Sequence, residues 1–202
     1  MDAEEWDERY AASDLVWSAG PNQFVEAACA DLPPGRALDL AAGEGRNAIW
    51  LAQRGWEVTA VDFSRVALEK GHRLAGEVNV EWVCADATTW ERPGGYDLVV
   101  IAYLQLPAEA RRQANLRGFG SLRTGGTFVL VAHDTSNLTE GTGGPQDASV
   151  LMTAEDVLGD LAGEELEVLQ AERVERRVAP DDDHRGEPAR TAYDCLVRVT
   201  RT

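Results

Sequence analysis

No stretch of this 202-residue sequence holds the run of about 18 consecutive apolar residues that a membrane-spanning helix needs, so no span is expected. Cysteine is scarce. Cys29, Cys84 and Cys195 stand far apart, odd in number and without a C-x-x-C pair. That excludes a disulfide framework and a structural zinc site, and all three are expected to be small buried side chains. Basic residues are few, 19 against 35 acids, for a formal net charge of −16. Nucleic acid and anionic membrane surfaces both need Lys and Arg to neutralise them, so neither is an expected partner. A small cationic or neutral molecule is. There is no G-x-S-x-G turn, and no cysteine sits beside an obvious base, so no catalytic triad is readable. The opening Met1-Asp2-Ala3-Glu4-Glu5 is acidic and polar, unlike an export leader, and a cytoplasmic protein is expected.

What is present is an alternation of strand and helix patterns on a length that suits one domain. Residues 22–31 can form a helix with Phe24, Val25, Ala28 and Cys29 on its apolar side, stopped by Pro33-Pro34-Gly35. Strands are expected near 36–41, 57–62, 79–84, 97–103 and 127–132. Helices are expected from Gly45 to Gly55, after a Ser64 cap, and over 107–119. Thr153 and Asp156 form a capping-box pattern for a helix reaching about 162. Two last strands, near 165–177 and 190–200, make a hairpin around Asp181-Asp182-Asp183-His184, a charged loop rather than a metal patch. The long stretch 134–150, with Gly141, Gly143, Gly144 and Pro145, reads as an irregular functional loop. The expected fold is α/β: a Rossmann-like, doubly wound seven-stranded sheet, mostly parallel, with one antiparallel C-terminal strand.

The chemistry concentrates in Arg36-Ala37-Leu38-Asp39-Leu40-Ala41-Ala42-Gly43-Glu44-Gly45-Arg46-Asn47, followed by Val58-Thr59-Ala60-Val61-Asp62. A strand, a small-residue turn, a helix and a second strand ending in an acid are the front half of a nucleotide-type site. Gly43 to Ala48 also satisfies G-x-G-x-x-A, so a nicotinamide cofactor has to be weighed. Two features oppose it. A pyrophosphate on this turn would meet Asp39 in a partly dry site, where like charges repel strongly. Too little chain also follows strand five for a separate oxidoreductase region. A ligand bearing a sulfonium and an ammonium suits the paired acids better.

Over nearly its whole length the sequence resembles the class I S-adenosylmethionine-dependent methyltransferases. The resemblance is carried by Leu38-Asp39-Leu40-Ala41-Ala42-Gly43-Glu44-Gly45, Val61-Asp62, Cys84-Ala85-Asp86-Ala87, Tyr96-Asp97-Leu98-Val99-Val100 and Leu122-Arg123-Thr124-Gly125-Gly126. Glu44-Gly45-Arg46-Asn47, Trp6-Asp7-Glu8-Arg9-Tyr10, Trp17 and Pro21-Asn22 further resemble the tellurite-resistance and thiopurine methyltransferase-like subgroup. The resemblance implies one methyltransferase domain over residues 1–202, with a helical lid over 1–33 and a Rossmann-like core over 34–202. It implies S-adenosyl-L-methionine as cofactor. Asp39 and the Gly43/Gly45 turn would hold its amino-carboxylate end, with Asn47 at the first helical turn. Asp62, with Phe63 beside it, would accept both ribose hydroxyls. Asp86 would meet the adenine amino group and Ala87 would give a backbone contact. Ala102 and Tyr103 would line the floor beside the sulfonium, and Trp17 or Tyr10 would close over it. One departure stands out: Ala41 replaces the first glycine of the usual D-x-G-x-G-x-G pattern.

Blander readings stand beside these. Asp62 caps helices well, Asp39 can orient the turn, Asp86 can be a turn aspartate, and Trp6, Tyr10 and Trp17 can be core. His72 and His184 read as solvated. His133 opens the long loop after strand five, where open sheets bind ligands, and is the candidate general base. The expected reaction is in-line methyl transfer to a small-molecule thiol, chalcogen oxyanion or hydroxyl. A soft anion needs no base; a hydroxyl does. The alternative is a catalytically silent S-adenosylmethionine-binding module acting through protein contacts.

Overall fold

Strands covered by helices on both faces read as near-continuous apolar runs and pair in parallel. Five segments here pair in parallel, Tyr96–Ala102 being the most continuously apolar of them. In the computed structural model, which describes residues 3–12, 20–178 and 190–202, they are β1 (Arg36–Leu40), β2 (Glu57–Asp62), β3 (Val80–Cys84), β4 (Tyr96–Ala102) and β5 (Leu122–His133). With β6 (Leu166–Val178) and β7 (Arg190–Arg201) they form a seven-stranded sheet in the order β3-β2-β1-β4-β5-β7-β6. Only β7 is reversed, running antiparallel to β5 and to β6, as the terminal hairpin predicted.

Six helices accompany the sheet among the described residues: α1 (Ala3–Ala11), α2 (Gln23–Cys29), α3 (Arg46–Gln53), α4 (Arg65–Ala75), α5 (Ala108–Gly120) and α6 (Ala154–Asp160). Their starts follow side-chain chemistry. Asn22 accepts from the N–H groups of Phe24 and Val25, Ser64 accepts from Ala67, and Thr153 and Asp156 close a reciprocal capping box. Apolar side chains fill both sides of the sheet. Leu38, Leu40, Val99, Ile101, Phe119 and Phe128 belong to one buried cluster; Val25, Ala37, Leu51, Val58, Val100 and Val131 belong to the other.

Several boundaries differ from those the sequence led us to expect. β1 stops at Leu40 because Ala41 takes φ 63°, which no strand continues. β5 begins early, where Leu122 pairs with Tyr96 ahead of a register shift, and runs to His133, which pairs with Asp194 of β7. His133 therefore ends the strand rather than opening the loop. The 134–150 stretch is not irregular throughout: it contains 3₁₀ turns at Thr135–Leu138 and Ala148–Val150. Buried Asn137 anchors it, accepting from the Tyr193 N–H at 2.8 Å and donating to the Tyr193 carbonyl. Cys29 and Cys195 are buried, but Cys84 is exposed, because it ends the edge strand β3. Asp181 to His184 lie outside the described residues. Among the described residues no helix is long and apolar enough to cross a membrane, and no group of His, Cys, Asp or Glu is arranged to hold a metal ion.

Candidate functional site

The chain winds outward from β1 through β2 to β3, then returns to place β4 and β5 on the other side of β1. The connections leaving β1 and β4 diverge, opening a crevice beyond the carboxyl ends of the strands. The small-residue turn lies there. It needs left-handed backbone at Ala41 (φ 63°), Gly43 (φ 56°) and Gly45 (φ 75°). Gly45 also has no room for a side chain: an added Cβ would overlap the Trp82 ring, which likewise closes over Gly71 of α4. The indole thus supports the turn from the β3 side.

Asp39 sits beneath the turn, 1 % exposed. Its Oδ2 accepts from the Ala48 N–H at 3.0 Å, while its buried Oδ1 has no hydrogen-bond partner among the described residues. Burial pushes the carboxyl up to about 7, against the pull of the Ala48 N–H and the Arg46 guanidinium. Asp62 ends β2. Its Oδ2 accepts from Gly43 N–H and its Oδ1 from Ser64 N–H, each at 2.8 Å. It therefore fastens the turn to the second strand, and burial raises its pKa despite those two bonds. The amide oxygen of buried Asn47 accepts from the Asn22 N–H at 2.9 Å, joining α2 to α3.

Tyr103 follows β4 and is the second non-glycine residue in the left-handed region, at φ 59°. Its N–H donates to Val131 at 2.7 Å; its hydroxyl donates to Asp194 Oδ2 at 2.8 Å and accepts from Asn22 Nδ2 at 3.3 Å. The Arg46 guanidinium lies 6.0 Å from the ring centroid, and the His133 ring centroid lies at 4.7 Å. Tyr103 thus stands between the turn and His133.

The remaining residues named from sequence spread around this centre. Phe63 follows Asp62, half-buried, and Ala102 ends β4 beside Val131. Asp86 is exposed after β3, where its Oδ1 accepts from both the N–H and the hydroxyl of Thr88 at 2.8 Å, a local turn; Ala87 next to it is buried. Asp39, Ala41, Gly43, Gly45, Asn47 and Asp62 are brought together, Tyr103 adjoins them, and Asp86 with Ala87 lies on the neighbouring loop. Trp17 lies outside the described residues. His72 is exposed on α4. α1 packs against α4. Asp7 accepts from the Ser64 hydroxyl and from the Val66 N–H at 3.3 Å, and Lys70 donates to the Tyr10 carbonyl. Lys70 also reaches buried Glu44 of the turn at 3.4 Å.

Sequence reasoning missed Asp194 and Arg176, and read Asn22 only as part of a subgroup motif. Asp194 is fully buried on β7. Its Oδ2 accepts from Arg176 Nε at 2.7 Å as well as from Tyr103, and its Oδ1 stands 3.3 Å from His133 Nδ1 without hydrogen-bond alignment. Burial works against its charge, but His133, Arg176 and Tyr103 outweigh it and hold the carboxyl below its usual range. The only sequence trace of this group is pairing register: His133 and Asp194 face each other across β5 and β7, and Arg176 is a diagonal neighbour on β6.

A family described as a methyltransferase domain matches residues 37–126. A demethylmenaquinone methyltransferase from Clavibacter sepedonicus is 36% identical over 128 residues, covering 61% of this chain and 49% of that protein. An uncharacterised methyltransferase from Mycobacterium bovis is 34% identical over 105 residues, 52% of this chain and 53% of that protein. The chain thus spans about half the length of these curated relatives. Two solved structures share the fold. The N-methyltransferase NodS from Bradyrhizobium japonicum, in complex with S-adenosyl-L-homocysteine, superposes with a TM-score of 0.73 at 18% identity, covering 100% of this chain and 99% of that one. TehB from Haemophilus influenzae superposes with a TM-score of 0.75 at 16% identity, covering 99% and 67%.

Proposed function

We propose that residues 37–126, which match a methyltransferase-domain family, form a class I S-adenosylmethionine-dependent methyltransferase domain, and that this chain transfers a methyl group from S-adenosyl-L-methionine to a small-molecule acceptor. The observation that carries the reading is the buried Oδ1 of Asp39, without a hydrogen-bond partner among the described residues, beneath the small-residue turn. A buried carboxylate oxygen without a donor is costly, and an ammonium group supplies both the charge and the hydrogen bond it lacks. The residues present therefore fit the amino-acid end of the cofactor. Asp39 would face its ammonium, and Arg46, with the first N–H groups of α3, its carboxylate. Asp62 would meet the ribose hydroxyls, Asp86 and Ala87 the adenine, and Phe63, Ala102 and Tyr103 the remaining walls.

When bound, the cofactor supplies a methyl group already activated by its sulfonium. The chain supplies position and exclusion of water. Lys70 links Glu44 of the turn to the Tyr10 carbonyl of α1, and within residues 1–33 we assign α1 as the lid, since α2 packs into the core through Val25 and Cys29. Tyr103, His133 and the 134–150 segment form the acceptor side. The finer placement, beside the tellurite-resistance and thiopurine methyltransferases, is supported by Glu44-Gly45-Arg46-Asn47 and by the fold shared with TehB. The surplus of acids argues for a small acceptor rather than nucleic acid or membrane. Calorimetry tests the reading. S-adenosyl-L-homocysteine should bind with a micromolar-range Kd; absence of heat with it and with S-adenosyl-L-methionine overturns the proposal.

A further inference from the structure

We propose that Asp194 is a positioning residue that fixes His133 as a proton acceptor, so that the methyl acceptor is a hydroxyl compound rather than an already ionised thiol or chalcogen. This rests on the methyltransferase reading and extends it to the substrate. Three side chains from three places in the chain converge on one buried carboxylate, that of Asp194. His133 ends β5, Asp194 faces it on β7, Arg176 comes from β6, and Tyr103 follows β4. The carboxylate lies on the Nδ1 side of the imidazole, at 3.3 Å. A carboxylate there favours the tautomer with its proton on Nδ1, which leaves the Nε2 lone pair for another partner. Nε2 has no hydrogen bond among the described residues and is not one of the buried atoms, so it is the nitrogen that a ligand can reach. The ring itself cannot drift. Tyr103 packs on it, a Cβ at Gly144 would overlap it, and its backbone N–H donates to Gln105 Oε1 at 3.1 Å.

A prearranged base is of use only to an acceptor that must lose a proton. A thiolate or reduced chalcogen brings its own lone pair; a hydroxyl needs its proton removed as its oxygen becomes positive. The surrounding charges choose among protonated acceptors. The Arg46 and Arg176 guanidiniums lie 6.0 and 5.8 Å from the Tyr103 ring centroid, a setting that disfavours an ammonium acceptor. In the step, an oxygen lone pair forms the new bond to the methyl carbon and the carbon–sulfur bond breaks. Its electron pair stays on sulfur, and the hydroxyl proton passes to His133 Nε2. The resulting imidazolium is then paired with Asp194.

Nitrogen-15 NMR of the histidine rings, with S-adenosyl-L-homocysteine present, tests this without knowing the natural acceptor. His133→Gln assigns the signal among the three histidines. His133 should be the Nδ1–H tautomer in the native protein and should lose that preference in Asp194→Asn, while the Kd for S-adenosyl-L-homocysteine stays within about threefold. An Nε2–H tautomer in the native protein overturns the proposal without any variant having to fold. Failure of S-adenosyl-L-homocysteine to bind the native protein overturns the methyltransferase reading instead. Labelled methyl transfer to phenol should exceed transfer to thiophenol. The phenol reaction should fall at least tenfold in His133→Gln and in Asp194→Asn, with a smaller loss for thiophenol. Preference for thiophenol, or equal losses for the two, overturns the assignment.

Discussion

The proposed cofactor half and the proposed acceptor half of this crevice are built in opposite ways. Around β1 and β2, the residues that matter lie within one short stretch of chain, and backbone N–H groups do most of the holding: Asp39 accepts from Ala48, and Asp62 from Gly43 and Ser64. Around β5 and β7, side chains hold side chains, and Tyr103, His133, Arg176 and Asp194 meet only because three strand pairings put them there. The first arrangement depends on local geometry and tolerates no bulk. The second depends on register, so its side chains can be exchanged without disturbing the strand order. A shared donor with varied acceptors is what such a division allows.

The contrast is broken most directly at Gly45. Gly45→Ala places a Cβ against the Trp82 ring in left-handed backbone. Strain and overpacking together should lower stability by roughly 2–5 kcal/mol. Denaturant unfolding should show the midpoint fall with an unchanged slope. A loss under about 1 kcal/mol would mean that the turn yields as readily as the acceptor side.

Asp39→Asn should weaken S-adenosyl-L-homocysteine binding by about 10- to 100-fold, the worth of a buried charge-assisted hydrogen bond. It should also stabilise the ligand-free protein in neutral and alkaline solution. The sign follows from burial. The Asp39 carboxyl holds its proton to about pH 7 in the fold, against an ordinary value of 3.8. Its favourable contribution is therefore complete below about pH 4, declines between about 4 and 7, and is gone above that. Thermal melts of the two proteins across this range should diverge as pH rises, and ligand affinity of the native protein should fall as pH drops through about 7. Parallel pH curves would show that Asp39 is not a buried acid awaiting a cation.

How much of this was legible in the sequence follows the same division. The alternation of strands and helices, the reversed β7, the turn and its two acids could be read because period, caps and glycine positions are local properties. Ser64, Thr153 with Asp156, and Gly45 each announced their element in a few residues. His133 was legible as a residue at the carboxyl edge of β5, yet its partner was not. Nothing near Asp194 in the chain marks it as functional, since its role depends on facing His133 across a strand pair. Cys84 was misjudged for a related reason: that β3 is an edge strand is a fact of topology, not of composition. Asn22, read as part of a subgroup motif, also reaches across to Tyr103, a contact that no spacing shows.

Tyr103→Phe probes the link between the halves. Its hydroxyl bonds to Asp194 on one side and Asn22 on the other. Removal should lower stability by about 1 kcal/mol, as expected for a net hydrogen bond at a partly buried site, and should leave S-adenosyl-L-homocysteine affinity within about threefold. A larger loss of affinity would show the two halves to be coupled through this ring.

The smallest effect is expected at Ala41, and its sign is the informative part. Ala41 and Tyr103 are the non-glycine residues with positive φ among the described residues, one in each half. At Ala41 the side chain is a methyl group that makes no hydrogen bond. Left-handed backbone costs an L-residue about 1–2 kcal/mol, and glycine forfeits about 0.5–1 kcal/mol of unfolded-state entropy. Ala41→Gly should therefore stabilise the protein by up to about 1 kcal/mol, raising Tm by roughly 1–4 °C in a chain of this size. The same substitution at Tyr103 relieves the same backbone but removes the hydroxyl shared by Asp194 and Asn22 and the ring packed on His133, so it should destabilise. Opposite signs from one backbone conformation would show that strain at Ala41 is a removable feature of the turn, whereas at Tyr103 it is held in place by the side chains of the acceptor half. Equal signs would erase the distinction between a half built from backbone and a half built from side chains.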